Sequence, residues 1–297
     1  MLKAKLKNIV RKILLSQKKP FFCYLAIFIL ANRNRYVEIS FLGVNLYRKI
    51  KELNGFTSYS LTTTGVLILF HPDRVVKIPL CTYSLKSLKK DFEFYTEALE
   101  TKYNRFFDYK LSKKEDYFEM DYLAPFNSTA QFFFREIEDL ERSIYLDYEK
   151  TNKSIERLKF LFPNLSDIEV LSNISVDKRR FYSVTMGFMH GDLTNSNIMY
   201  NKSGKICLID LDRATLIGIR EIDYIHNYID AESKKNNKSF FSFIFDETEA
   251  LSKRFGFEIV YLYLIFRTCQ EYRPGIILDS AYYQSLKQCH DKLVKNL

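Results

Sequence analysis

Apolar residues recur at helical spacing through the first nineteen positions, at Leu2, Leu6, Ile9, Val10, Ile13 and Leu14. Lys3, Lys5, Lys7, Arg11, Lys12, Lys18 and Lys19 fill most of the remainder, which predicts a cationic amphipathic helix ended by Pro20. Phe21 to Ala31 is then unbroken apolar sequence, far short of the roughly twenty residues that span a bilayer. Arg33-Asn34-Arg35 follows where a signal peptide has small residues. Two readings stay open for this segment: peripheral attachment to the inner face of a membrane, or a helix and strand packed on the body of the protein. Val37 to Tyr59 predicts short strands with a turn at Asn54-Gly55. Tyr59–Leu61 and Val66–Phe70 read as a hairpin closed by Thr62-Thr63-Thr64-Gly65, and Val75–Pro79 as the next strand. A helix is predicted over Ser87–Glu100 and a further strand over Tyr117–Met120.

Beyond Asn127 the pattern turns helical, over Thr129 to about Lys150 and Lys153 to Phe162, where Pro163 stops it. Lys205–Ile209 is strand-like. From Tyr224 onward helices dominate, and Phe257–Phe266 is apolar enough for a buried helix. The expected division is a basic, apolar N-terminal segment (1–36), a strand-rich domain (37–123) and a mainly helical domain (124–297).

Composition adds limits. At 297 residues, 47% hydrophobic and 27% charged, the chain can bury a large core and is not a disordered polymer. A net charge of +9 favours anionic partners such as a nucleotide or a membrane face. With no zinc-finger, homeodomain or RRM signature, nucleic acid is not expected as a partner. The five cysteines form no C-x-x-C pair and read as buried thiols of a reduced compartment.

Two stretches carry chemistry. His190-Gly191-Asp192-Leu193-Thr194-Asn195-Ser196-Asn197 sets an Asp five residues before an Asn, and Ile206-Cys207-Leu208-Ile209-Asp210 ends an apolar run on a second Asp. Phosphoryl transfer from a nucleotide uses such a set: Asp192 aligns the attacking hydroxyl, while Asn197 and Asp210 hold magnesium on the phosphates. Magnesium prefers hard oxygen ligands and keeps several waters, so two side chains suffice. His190 reads as a backbone brace, since Asp192 already fills the role of base. His71, His226 and His290 have no partner at metal-ligand spacing and read as ordinary surface or core residues.

The spacing resembles the H-R-D-x-x-x-x-N loop and strand-end Asp of protein kinases. The wording is closer to the kinase-like phosphotransferases, such as aminoglycoside and choline kinases, in which H-G-D-L-x-x-x-N precedes I-D-x-x-x-A. Ile209-Asp210-Leu211-Asp212-Arg213-Ala214 is also similar to the ending found in Kdo and heptose kinases of the lipopolysaccharide core. The resemblance runs over roughly 55–225 and is strongest over 188–214. It implies an α+β, two-lobed protein-kinase-like fold, with a small antiparallel sheet and one helix in the N-lobe and a larger, mainly helical C-lobe. It also implies ATP and magnesium as cofactors.

By that resemblance Lys77 grips the α- and β-phosphates and pairs with Glu93, with Glu97 one turn on as the other candidate. Thr63, Thr64 and Gly65 lie over the phosphates, and the backbone at Asp121 and Leu123 forms a hinge for the purine. Asp223 braces the catalytic loop. Asp212 could be a third metal ligand or an ion-pair partner of Arg213, with the ion pair favoured, while Arg267, Glu271, Arg273 and Asp279 could bind a sugar or face water. The expected reaction is phosphorylation of a hydroxyl, on a sugar of a lipopolysaccharide core or another surface glycan. The competing readings are a soluble kinase of aminoglycoside or choline type and a catalytically silent nucleotide-binding scaffold. A cytoplasmic location is expected, with peripheral membrane contact under the first N-terminal reading.

Overall fold

In a computed structural model, the residues described are 20–31, 38, 41–42, 44–62, 64–126, 134–135, 186–271, 285, 287–289 and 291–293. The basic helix predicted over 1–19 lies outside them, as do Thr63 and all but residues 134–135 of the helices predicted over 129–162. The chain divides into two compact units: Met1–Pro125 with Met199–Asp212, and Phe126–Ile198 with Arg213–Leu297. Residues 199–212 thus group with the strand-rich unit and not with the helical part expected to begin at 124.

The first unit is built on the antiparallel order β1-β2-β3-β5-β4, from β1 (Ser58–Leu61), β2 (Val66–Phe70), β3 (Arg74–Pro79), β4 (Leu111–Lys113) and β5 (Phe118–Asp121). Successive strand residues face opposite sides. Leu67, Leu69, Val76 and Ile78 therefore join one core, while Val66, Ile68 and Phe118 pack with Leu85, Leu88 and Phe92 on the other side. Two helices supply the first core. α1 (Pro20–Ala31) contributes Cys23 and Ile27, and α2 (Val44–Glu52) contributes Leu46 and Ile50.

Both helices correct the sequence reading. Pro20 opens a helix, as it can at a first-turn position where its missing N–H is not needed. The expected strands between Val37 and Tyr59 are replaced by α2, whose Leu46, Ile50 and Leu53 recur at a helical interval. Among the described residues no helix is long and apolar enough to cross a membrane.

α3 (Thr82–Leu99) covers the second face, starting five residues earlier than expected because Cys81 and Ser84 form a reciprocal cap. Its buried stripe is Ser84, Leu88, Asp91, Tyr95 and Ala98. A short 3-10 turn (Lys102–Phe107) follows, and β6 (Ala124–Pro125) pairs with β8 (Ile198–Tyr200), which neighbours β9 (Ile206–Leu208).

In the second unit, β7 (Met186–Met189) pairs antiparallel with β10 (Thr215–Ile219). The helices α4 (Glu221–Lys235), α5 (Phe240–Asp246), α6 (Thr248–Phe255) and α7 (Phe257–Glu271) follow. Val260 through Phe266 are all buried in α7, as their unbroken apolar run predicts, and pack with Ile222, Ile225, Ile229, Phe243, Ile244 and Leu251. The architecture is α+β, a small antiparallel sheet with its helices in one unit and a mainly helical arrangement in the other. All five cysteines are buried free thiols.

Candidate active site

In the first unit the chemistry gathers around Lys77. Its position in β3, between Val76 and Ile78, points it to the α3 face of the sheet, where it is buried. A buried ammonium without a counter-charge is very costly, and Lys77 has two partners. Nζ lies 2.5 Å from Asp210 Oδ1 and 3.4 Å from Asp91 Oδ2. Burial alone would release the proton from Lys77; the two carboxylates outweigh that and hold the ammonium charged.

Asp91 is the partner in place of the expected Glu93. A residue two places along a helix lies about 200° round its axis, so Asp91 faces the sheet and Glu93 and Glu97 are exposed. Asp91 Oδ1 also accepts the Leu211 N–H at 3.1 Å, so one carboxylate joins α3, β3 and the turn carrying Asp210. Burial pushes the Asp91 carboxyl up and the Lys77 charge opposes it. Asp210, just past β9, adopts a left-handed backbone (φ 59°), and its side chain is half exposed. The O–H of Tyr109 donates to the Leu208 carbonyl at 2.9 Å, tying β9 from below. Asp212 takes the Ser87 hydroxyl at 2.5 Å.

The hairpin turn is closed by its own threonine. Gly65 N–H and Val66 N–H donate to the carbonyl and hydroxyl of Thr62, at 3.2 and 2.9 Å. The Thr62 and Thr64 hydroxyls bond at 3.0 Å. The expected phosphate cover at Thr64 and Gly65 therefore needs correction at Gly65, whose amide is engaged within the turn and whose positive φ serves that turn. At the expected hinge, Asp121 closes the strand end through reciprocal bonds with Lys110, and Leu123 is buried.

In the second unit β7 delivers the chain to the loop beginning at His190. Asp223, in the first turn of α4, accepts the His190 N–H on Oδ2 at 2.6 Å and the Gly191 N–H on Oδ1 at 2.9 Å. Burial pushes its carboxyl up to about 6 against those bonds. Gly191 has φ +80°, and a Cβ there would stand 2.5 Å from the Arg213 carbonyl oxygen, so only glycine fits. Asn197 donates its amide N–H to the Asp192 carbonyl at 2.9 Å, which leaves its own carbonyl oxygen as the ligand or acceptor atom.

The Asp192 carboxylate is met by three donors, each closest to Oδ1. Arg267 of α7 donates at 2.9 Å, His226 Nε2 of α4 lies at 3.1 Å, and Arg213 lies at 3.6 Å. Burial alone would raise the Asp192 pKa; the His226 bond and the two guanidinium charges outweigh it and hold the carboxyl well below the usual carboxylate range. A carboxyl held there is ionised near neutral pH, which makes it a fixed acceptor more than a store for a proton.

Three of these contacts were not legible in the sequence. Arg213 turns to Asp192 in place of the expected Asp212, His226 is not an ordinary core residue, and Arg267 is buried against a carboxylate. The available signal was Arg267 itself, a lone cation at the end of an apolar helix, which requires a counter-charge by the argument applied to Lys77. Among the described residues no group of three or more His, Cys, Asp or Glu could hold a metal alone. The hard oxygens of Asn197 and Asp210 are the type magnesium prefers, and it takes few ligands from a protein.

No family model and no curated protein matches the chain. Solved structures of kinases are similar to it. Choline kinase LicA from Streptococcus pneumoniae is 15% identical, with 83% of this chain and 98% of that one aligned and a TM-score of 0.40. The aminoglycoside phosphotransferase APH(2'')-Ib, in its ADP-bound form, is 12% identical over 84% and 98%, with a TM-score of 0.47. A choline/ethanolamine kinase family protein from Mesorhizobium loti is 10% identical over 82% and 90%, with a TM-score of 0.39.

Proposed function

We propose that the protein is an ATP- and magnesium-dependent phosphotransferase with an alcohol as acceptor. The observation that carries the reading is buried Lys77, paired with the half-exposed Asp210 at the end of β9 and backed by Asp91. A structural ion pair needs no second carboxylate and no exposed partner; a phosphate grip uses both. Lys77 offsets phosphate charge, and Asp192 orients the attacking hydroxyl. Asn197 and Asp210 supply oxygens for magnesium, which when bound neutralises charge on the phosphates. Backbone at Asp121 and Leu123 is the proposed purine contact. Thr64 keeps a proposed place beside the phosphates.

The acceptor we favour is a hydroxyl of a sugar in a lipopolysaccharide core or another surface glycan, on the Asp210-Leu211-Asp212-Arg213 wording. Two guanidiniums beside Asp192 support an acceptor without positive charge over a polycationic aminoglycoside or choline. The enzyme would work in the cytoplasm, where ATP is supplied. α1 places Cys23 and Ile27 in the protein core and leaves Phe21 exposed, so the proposed membrane contact rests on residues 1–19 and Phe21.

The test is phosphate incorporation from labelled ATP into a lipopolysaccharide extract, an aminoglycoside panel and choline, with and without magnesium. Asp192→Asn and Lys77→Met variants are run in parallel. Magnesium-dependent labelling of the extract, lost in both variants, is the expected result. Labelling of the aminoglycosides or choline alone would replace the acceptor, and equal labelling by wild type and Asp192→Asn would remove the mechanism.

A further inference from the structure

His226 is buried, and its two ring nitrogens are both spoken for. Nε2 lies 3.1 Å from Asp192 Oδ1, and Nδ1 lies 2.8 Å from the hydroxyl of Tyr263, itself fully buried in α7. The other groups facing the imidazole are Arg267, Asp230 and the ring of Phe240. Burial lowers the His226 pKa, and the Arg267 charge acts in the same direction while Asp192 and Asp230 oppose it, so the ring is neutral near pH 7. A neutral imidazole has one N–H. An ionised carboxylate can only accept, so that N–H is on Nε2, and Tyr263 must donate its O–H to the bare Nδ1.

We propose that His226 is the positioning residue for Asp192: a neutral imidazole, held as the Nε2–H tautomer by the accept-only carboxylate and seated at Nδ1 on the Tyr263 hydroxyl, that holds Oδ1 and leaves Oδ2 to meet the acceptor hydroxyl. The inference rests on the phosphotransferase reading above and adds to it a residue pair that the sequence motif does not contain. The chemistry requires such a hold. Asp192 sits in a loop beside a glycine at positive φ, and the ring N–H of His226 adds a directional hold from α4 to that of Arg267 from α7. The line Tyr263–His226–Asp192 runs from the α7 core to the loop, so a packed helix sets the orientation of the reacting group.

The full chain, ¹⁵N-labelled at histidine, gives a first readout by long-range ¹H–¹⁵N correlation, with His226 assigned through His226→Gln. The expected result is Nε2–H in the wild type at neutral pH and a mixture of tautomers in Asp192→Ala, where the remaining Tyr263 hydroxyl can donate or accept. The second readout is hydrolysis of magnesium ATP with water as acceptor. His226→Ala is expected to lower kcat about 10- to 100-fold with KM for ATP within about twofold, the range for losing a hydrogen bond to a charged group. His226→Gln, which keeps a donor, is expected to recover most of that loss, and melting curves separate these effects from unfolding. An Nδ1–H tautomer or an imidazolium in the wild type overturns the proposal. So does a His226→Ala variant with the kcat of an active wild type, and that result leaves the phosphotransferase reading standing. A wild type that splits no ATP overturns that reading and the proposal with it.

Discussion

Arg267 donates to Asp192 Oδ1 at 2.9 Å from a helix 75 residues further along the chain. The guanidinium is buried while the carboxylate is about a third exposed, so water can replace Arg267 around Asp192. Arg267→Met is therefore expected to change stability by no more than about 1 kcal/mol, since an apolar side chain suits the end of α7. Turnover should fall at least about tenfold as the carboxylate loses its shortest hydrogen bond. Arg267→Lys should not restore it, because an ammonium lacks the planar fork. Melting curves and kcat for the three proteins check this.

Asp91 and Glu93 give opposite outcomes. Asp91→Ala leaves buried Lys77 with one partner and the Leu211 N–H with none, and is expected to cost about 3–5 kcal/mol. Glu93→Ala, on the exposed face of α3, should stay within about 0.5 kcal/mol and leave KM for ATP unchanged. Denaturant melts of both variants test the pairing directly, and equal losses would refute it.

Asp223 is expected to set an acid limit on activity. Its folded pKa, about 6, lies above the ordinary value of 3.8, so the native state favours the protonated form. The stability this group contributes is full below about pH 4 and is lost as pH rises to about 6. Its function runs the other way: only the carboxylate accepts the N–H groups of both His190 and Gly191. Turnover is expected to fall below about pH 6 while the fold remains intact, and Asp192, ionised far below that range, does not account for the limb. Asp223→Asn should remove most activity at every pH, since its amide N–H would face one of the backbone donors. A pH–rate profile beside circular dichroism decides.

Ile27 tests whether α1 belongs to the protein. It is buried with Cys23 against α2 and the sheet, and Ile27→Ala is expected to destabilise the first unit by about 2–4 kcal/mol in the absence of any lipid. An unchanged melt would mean that α1 does not pack there.

The sequence made some of this legible because local rules apply locally. The alternation around Lys77 put it on a strand, and the unbroken apolar run of α7 marked a buried helix. The antiparallel hairpin of β1 and β2 followed from the same reasoning. Errors arose where two local signals competed. Asn54-Gly55 suggested a hairpin, although Leu46, Ile50 and Leu53 kept a helical interval that tertiary packing turned into α2. Glu93 was favoured by family spacing, while the stripe through Leu88, Asp91 and Tyr95 named the inward acid. The donors around Asp192 were invisible for a different reason. Arg213, His226 and Arg267 are brought together by packing, and no window of sequence contains them all.

That scattering has a consequence for how the chain can drift. A change in the helical core at Tyr263 or Arg267 reaches the reacting carboxylate without touching the loop that bears it. Substitutions at these positions should be tolerated only in combination, and descendants of this protein should exchange the imidazole, the phenol and the guanidinium as one inherited set.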